Sequence, residues 1–193
     1  MINVCFILMM IPIILFSKVF EIDSTHSYVG FKVKYMMLSN VRGNFSDFSG
    51  RLEMVGDEIT KIKGQVQVDS ISTNNKKRDK HLKSPDFFNA ETYPEMRFNS
   101  KKVVKNGDQL SMVGQLTIHG ISKDVVFPFE KTPVYIGNKG TARFGVEAQL
   151  KINRKDYGIL YSKKMDNGGL VVDDYVTIIL NIQFIEEVDN VDS

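Results

Sequence analysis

From Phe20 to Phe184 the apolar residues of this chain recur at alternate positions, one segment after another. Successive side chains of a strand point to opposite faces, so this period commits the chain to half-buried β-strands. Val29, Phe31, Val33 and Tyr35 share one face while Lys32 and Lys34 share the other. A less regular repeat runs from Val41 to Met54 around Phe45, Phe48 and Leu52, and Ile62, Val66 and Val68 continue it between Ile59 and Ile71. Met96 and Phe98 are in phase, as are Leu110, Met112, Gly114, Leu116 and Ile118, and then Val125, Phe127 and Phe129. Ala142, Phe144, Val146, Ala148, Leu150 and Ile152 form a long alternating strand, and Val176, Ile178, Leu180, Ile182 and Phe184 close the pattern. Turns are expected at Val55-Gly56-Asp57-Glu58, Asn106-Gly107, His119-Gly120 and Gly137 to Gly140, and a loop at Asn167-Gly168-Gly169. About eight mostly antiparallel strands with tight turns would expose two long edges unless they closed on themselves, so the expected fold is all-β, a barrel.

Two stretches break the period. Asn74 can cap a short helix over about 75–83, after which Pro85 and Pro94 bracket an aromatic-rich loop. Within it, Arg78-Asp79-Lys80-His81-Leu82-Lys83-Ser84-Pro85-Asp86-Phe87-Phe88 turns from charged to aromatic, and its Phe pair must be buried while the Arg-Asp-His face stays polar. Such a segment suits a helix docked over an apolar opening. Asn153 to Ser162 has room for a helical turn at the rim.

Composition narrows the functional classes. Phe occurs thirteen times and Trp not at all, and Phe can line a cavity without needing a hydrogen-bond partner. A net charge of +2 is too small for a nucleic-acid footprint, and Asp79 interrupts the basic run Lys76-Lys77-Arg78. The start of the chain is different: Val4 to Phe16 is almost continuously apolar, shorter than the about 20 residues of a membrane span, and Ser17 follows it. Residues 1–17 are therefore expected to be a secretory signal, although no Lys or Arg precedes the apolar run. Residues 18–186 would be one barrel domain and 187–193 a polar tail. Cys5, the only cysteine, falls within the presumed signal, so the mature chain would carry no thiol, as suits an oxidising compartment.

The motifs, taken together, resemble the YceI family of periplasmic, lipocalin-like proteins. Ile22-Asp23-Ser24-Thr25-His26-Ser27 with Val29 and Phe31 is similar to the family's opening strand, and Gly43-Asn44-Phe45 with Phe48 and Gly50 to its next element. Val68-Asp69-Ser70-Ile71-Ser72-Thr73 precedes the 78–88 signature as it does in that family. Tyr93-Pro94 with Phe98 and Ser100, Gly114-Gln115-Leu116-Thr117-Ile118-His119-Gly120 with Ser122-Lys123, and Asn153-Arg154-Lys155-Asp156-Tyr157-Gly158 complete seven pieces in family order.

That resemblance implies an extended eight-stranded antiparallel barrel whose apolar tunnel holds a long-chain isoprenoid lipid, polyprenyl or quinone-like, for periplasmic transport or storage, with no enzymatic activity, no further cofactor and at most a transient membrane contact. The inward residues that would meet the lipid are Phe31, Val33, Phe45, Phe88, Met96, Phe98, Leu116, Ile118, Phe127, Phe144, Val146, Ala148, Ile178 and Leu180. Taken singly, an inward Phe reads as ordinary core packing before ligand contact. Arg78, Asp79 and Asp86, and likewise Arg154 and Asp156, are candidates for a polar latch at the rim, or for a lipid headgroup site, because guanidinium groups grip phosphate bidentately. Two other readings stay open: a barrel with a filled core, and a metal-dependent enzyme built on His26, His81 and His119. Those histidines lack the close spacing that pre-forms a metal pair. A monomer or a homodimer fits the sequence equally.

Overall fold

In the computed structural model, which describes residues 17–137, 140–163 and 171–187, the alternating segments become twelve strands, one α-helix and three 3-10 turns. In chain order they are β1 (Ser17–Ile22), β2 (Tyr28–Tyr35), β3 (Ser39–Phe45), β4 (Phe48–Val55), β5 (Glu58–Gln67), β6 (Ile71–Ser72), α1 (Lys76–Lys83), β7 (Glu95–Asn106), β8 (Gln109–Ile118), β9 (Ile121–Lys131), β10 (Tyr135–Ile136), β11 (Ala142–Asn153) and β12 (Val172–Glu186). Hydrogen bonding runs β11–β9–β8–β7–β5–β4–β1–β12, and β12 pairs back with β11 through the register Arg143↔Ile185 to Asn153↔Tyr175. The result is a closed, eight-stranded antiparallel barrel. The loop at 167–169, the presumed signal up to residue 16 and most of the polar tail lie outside the described residues, whereas Ser17 opens β1 opposite Val55.

Three of the eight staves are broken where the sequence suggested continuous strands. β1 hands over to β2 through a 3-10 turn at Ser24–His26, β3 to β4 across Ser46-Asp47, and β5 to β6 through a 3-10 turn at Val68–Ser70. The breaks are neighbours: Gln67 donates to the Asp47 carbonyl, and Ser46 to the Ser70 carbonyl. Beyond this line β2, β3 and β6 form a hairpin with a short third strand. The break also explains the irregular phase of 41–54. Phe45 and Phe48, three residues apart, are both buried because the chain resets its phase between them.

The opening motif bridges the first break. Between Ile22↔Phe184 and Tyr28↔Asn181 the ladder to β12 lapses, leaving the Gln183 backbone N–H without a strand partner. The Ser27 hydroxyl accepts that N–H at 2.9 Å and donates to the Asp23 carbonyl at 2.7 Å. The Asp23 carboxylate accepts from the Thr25 backbone at 3.1 Å and the Gln183 amide at 3.2 Å, and meets His26 Nδ1 at 2.8 Å.

Elsewhere the turns fall where the sequence puts them, with shifts of one residue. Asn106 closes the ladder opposite Gln109, so the hairpin loop is Gly107-Asp108. His119 and Gly120 both have positive φ, 51° and 72°, as a two-residue hairpin loop matching the strand twist requires. The helix is capped by Asn75, whose side chain accepts the Arg78 N–H at 3.0 Å; Asn74, the expected cap, instead takes the left-handed turn out of β6 at φ 59°.

One end of the barrel is solid. Phe144 stacks on Phe184 at 5.5 Å and meets Phe20 edge-on at 5.1 Å, with Leu52, Met54 and Ala142 buried alongside. Each of the Phe, Leu and Met side chains taken from water contributes about 1.5–3 kcal/mol, so this plug anchors the fold and leaves the other end free to differ.

Ser27→Ala should lower the melting temperature by about 2–8 °C, the result of losing about 1–2 kcal/mol with a backbone N–H orphaned. Asp23 and Glu186 are held below the usual carboxylate range, Asp23 first by its hydrogen bond to His26 and Glu186 first by its bond from Lys18. A folded-state value below the unfolded one gives stability that is present above about pH 4.5 and lost as the pH falls further. Thermal unfolding followed from about pH 6 to pH 3 should show that fall, and Asp23→Asn should flatten part of it.

Candidate functional site

Opposite the plug, the inward rows of the barrel diverge around an apolar cavity of about 230 Å³. This exceeds the about 150 Å³ of an apolar protein cavity that stays dry and takes up a benzene-sized guest. β2 supplies Phe31 and Val33, β3 Phe45, β7 Met96 and Phe98, β8 Leu116 and Ile118, β9 Phe127, β11 Val146, and β12 Ile178 and Leu180. Phe88, from the loop after α1, completes the wall from outside the strands and meets the Phe45 ring edge-on at 6.4 Å. Small inward residues make room for large neighbours. An added Cβ at Gly114 would stand 2.7 Å from the Phe98 ring, and one at Gly43 would stand 2.5 Å from the Phe31 ring.

Two of the expected wall residues lie elsewhere. Phe144 belongs to the aromatic plug, and Ala148 is buried in the core without bordering the cavity. Alternation reports that a side chain points inward but not how far along the barrel the filling extends. Other wall residues went unselected: Phe48, Ile62, Val66 and Met112 are inward strand residues whose phase could have found them, whereas Leu82, Phe87, Tyr157 and Ile159 come from α1 and the two irregular segments. For these last four the period-two pattern carries no signal.

The cover over this end is built from the 76–94 segment and the turn after β11. Leu82, Phe87 and Phe88 face the cavity, and Phe87 packs on Tyr161 at 4.7 Å. Arg78 and Asp79, both expected at a rim latch, bond to Thr73 and not to each other. Arg78 donates from Nε to the Thr73 hydroxyl at 2.7 Å and from Nη2 to its carbonyl at 2.8 Å. The Asp79 carboxylate accepts both the backbone N–H and the hydroxyl of Thr73. Thr73 is buried, directly after β6, so these bonds tie α1 to the hairpin side of the barrel. Asp86 is not part of that latch. It meets His81 Nε2 at 2.8 Å inside the cover.

At the second irregular segment the expected pair Arg154–Asp156 is replaced by Arg154–Asp174. Arg154 is only 4 % exposed and borders the cavity. It donates to the Asp173 carbonyl at 3.0 Å, the Ile159 carbonyl at 2.8 Å and the Asp174 carboxylate at 3.1 Å, while Asp156 stays exposed to solvent. Burial lowers the Arg154 pKa from its usual value, and the neighbouring Asp174 and Asp173 carboxylates work against that fall. The Tyr157 phenol, buried beside Asp156, is pushed up to about 12, so it is neutral at the cavity wall. The side of the cavity facing a guest is thus apolar, and its one deep cation is already compensated from behind.

The three histidines are not gathered. His26 pairs with Asp23, His81 with Asp86 and the Phe87 and Tyr161 rings, and His119 Nδ1 lies 3.2 Å from the Tyr157 carbonyl with Tyr93 edge-on at 4.5 Å. Among the described residues no group of three or more His, Cys, Asp or Glu is placed to hold a metal ion, and no helix is long and apolar enough to cross a membrane.

With this geometry in hand, comparison with known proteins is specific. The solved Campylobacter jejuni YCEI protein superposes with a TM-score of 0.71 at 34% identity, over 86% of this chain and 96% of that one. The Protein YceI of Escherichia coli O157:H7 is 34% identical over 139 residues, 71% of this chain and 73% of the relative. A polyisoprenoid binding domain from Saccharophagus degradans shares the fold, with a TM-score of 0.66 at 14% identity over 87% of this chain and 98% of that one. The YceI-like domain model matches residues 20–184, plug, cavity and cover together, and the chain belongs to that family.

Proposed function

We propose that the barrel binds a long-chain isoprenoid lipid, polyprenyl or quinone-like, in its apolar cavity and carries or stores it in the periplasm after export directed by residues 1–17. The observation that carries the reading is the lining: an apolar cavity of about 230 Å³ bordered by strand residues from both halves of the barrel, with Arg154 turned to protein acceptors. Ligand pockets of this kind are mostly apolar with few polar groups. The polyisoprenoid binding function named for the Saccharophagus degradans domain of the same fold supports the choice of lipid class.

Energetics then assign the work. Each methylene removed from water is worth about 0.8 kcal/mol, but an isoprenoid tail starts in a bilayer, where that gain is already made. Transfer into the barrel is nearly neutral in the tail, so cavity shape sets selectivity and movement of the cover sets the rate. The 76–94 segment is the gate, and Thr73 is its catch.

Two variants test separate parts of this reading. Leu116, 7 % exposed and paired with Phe98 across the β7–β8 ladder, borders the cavity. Overpacking a filled core costs about 1–3 kcal/mol, whereas a ring added at a cavity wall has space to occupy. Leu116→Trp should therefore change the melting temperature of delipidated protein little and shorten the longest prenyl chain bound. A large stability loss with unchanged chain-length preference would favour a filled barrel. Thr73→Val keeps the shape and removes both hydroxyl bonds of the catch. It should speed lipid exchange between donor and acceptor vesicles several-fold while leaving chain-length preference intact; unchanged exchange would move the gate elsewhere.

A further inference from the structure

The β2–β3 hairpin ends in a tip tied to the barrel by backbone, the Met36 N–H donating to the Val171 carbonyl at 2.8 Å, while its Met37 and Leu38 side chains stand exposed. Tyr35 pairs with Ser39, and between them Met36, Met37 and Leu38 turn the chain in the open. Met37 is 70 % and Leu38 86 % exposed. Met36 and Met37 both have left-handed backbones, φ 50° and 61°, which Gly and Asn adopt far more readily. An apolar tip in left-handed backbone, with Met37 and Leu38 exposed, points to a role outside the folded chain.

The charge beneath the tip identifies its partner. Lys32 stands opposite Arg42 across the hairpin, Lys34 stands opposite Asn40, and all three cations lie on the face away from Phe31 and Val33. From Ser24 to Ser46 the sequence contains no Asp or Glu, and none of the three forms an ion pair with a described carboxylate. Among the described residues the acids nearest in register are Asp173 and Asp174, which follow Val172, the partner of Tyr35. Asp174 is engaged by Arg154 and Lys155, and Asp173 accepts from the Tyr175 backbone. The tip also sits at the cavity end of the barrel, since Val33 on the same strand borders the cavity.

We propose that Met36, Met37 and Leu38 insert into the surface of an anionic phospholipid bilayer, with Lys32, Lys34 and Arg42 held against its headgroups, so that the cavity mouth faces the lipid it loads. Two unbranched thioether side chains and a leucine fill irregular acyl-chain space well. Each basic side chain near such a surface is worth about 1 kcal/mol, roughly a fivefold gain in partitioning. The arrangement rests on the isoprenoid reading for its purpose, but not for its measurement.

The chain contains no Trp, so Leu38→Trp puts a single reporter at the tip. With vesicles of phosphatidylglycerol and phosphatidylcholine in equal parts, its emission should shift to the blue and be quenched by brominated acyl chains. With phosphatidylcholine alone the partitioning should fall at least tenfold. Adding Lys32→Gln, Lys34→Gln and Arg42→Gln to the reporter should reduce partitioning to anionic vesicles by roughly a hundredfold, and Met37→Asp should abolish the blue shift. No shift on anionic vesicles, or equal binding to both vesicle types, would overturn the proposal, leaving the tip as a contact for protein. Prenyl alcohol delivered from detergent separates the two claims. Uptake without vesicle docking refutes the docking alone, while docking without uptake refutes the isoprenoid reading alone.

Discussion

The architecture depends on one strand bonded along both flanks. β12 pairs with β11 on one side and with β1 and then β2 on the other, and this double ladder turns a meander into a ring. Closure removes the exposed edges that eight antiparallel strands would otherwise present. It also fixes an interior that side chains can fill or leave open, since an eight-stranded barrel lies at the boundary between the two. The break between β1 and β2 is the weak point of that closure, which is why Asp23, Ser27 and Gln183 are drawn into a shared hydrogen-bonded patch there.

Inside the ring, filling is uneven. Phe20, Phe144 and Phe184 close one end by ring contacts, whereas at the other end Gly43 and Gly114 let Phe31 and Phe98 lie along the wall. A dense plug beside an open half divides labour: the first holds the staves together, and the second can accept a guest without the fold depending on it. Arg154 shows the same economy with charge. A buried cation adds little net stability when paired and is costly when left alone; here carbonyls and the Asp174 carboxylate satisfy it from the protein side.

The barrel was legible because alternation is a direct readout of which side of a strand meets the core, and inward phase located residues such as Leu116 and Ile178 on the cavity wall. Depth along the barrel was not legible. Phe98 and Phe144 look alike in phase, yet one borders the cavity and the other the plug. Pairing of charged residues was equally hidden. Asp156 is the acid near Arg154 in sequence, but a 3-10 turn carries it outward and brings Asp174 from β12 into reach. Tyr157 and Ile159 reach the cavity from irregular backbone, for which no periodic signal exists. The Arg78-Asp79 motif stood out as a polar pair in the sequence, while their shared hydrogen-bond partner, Thr73, emerged only from the fold.

If the open half of the barrel holds an isoprenoid lipid, the occupant should survive purification. Native mass spectrometry of the protein, purified without added lipid, reads that occupancy. The expected result is a bound apolar species that organic extraction removes, that fragments into repeating isoprene units, and whose occupancy falls in a variant with the cavity filled. Protein of bare polypeptide mass that also fails to take up prenyl lipids of any length would contradict it.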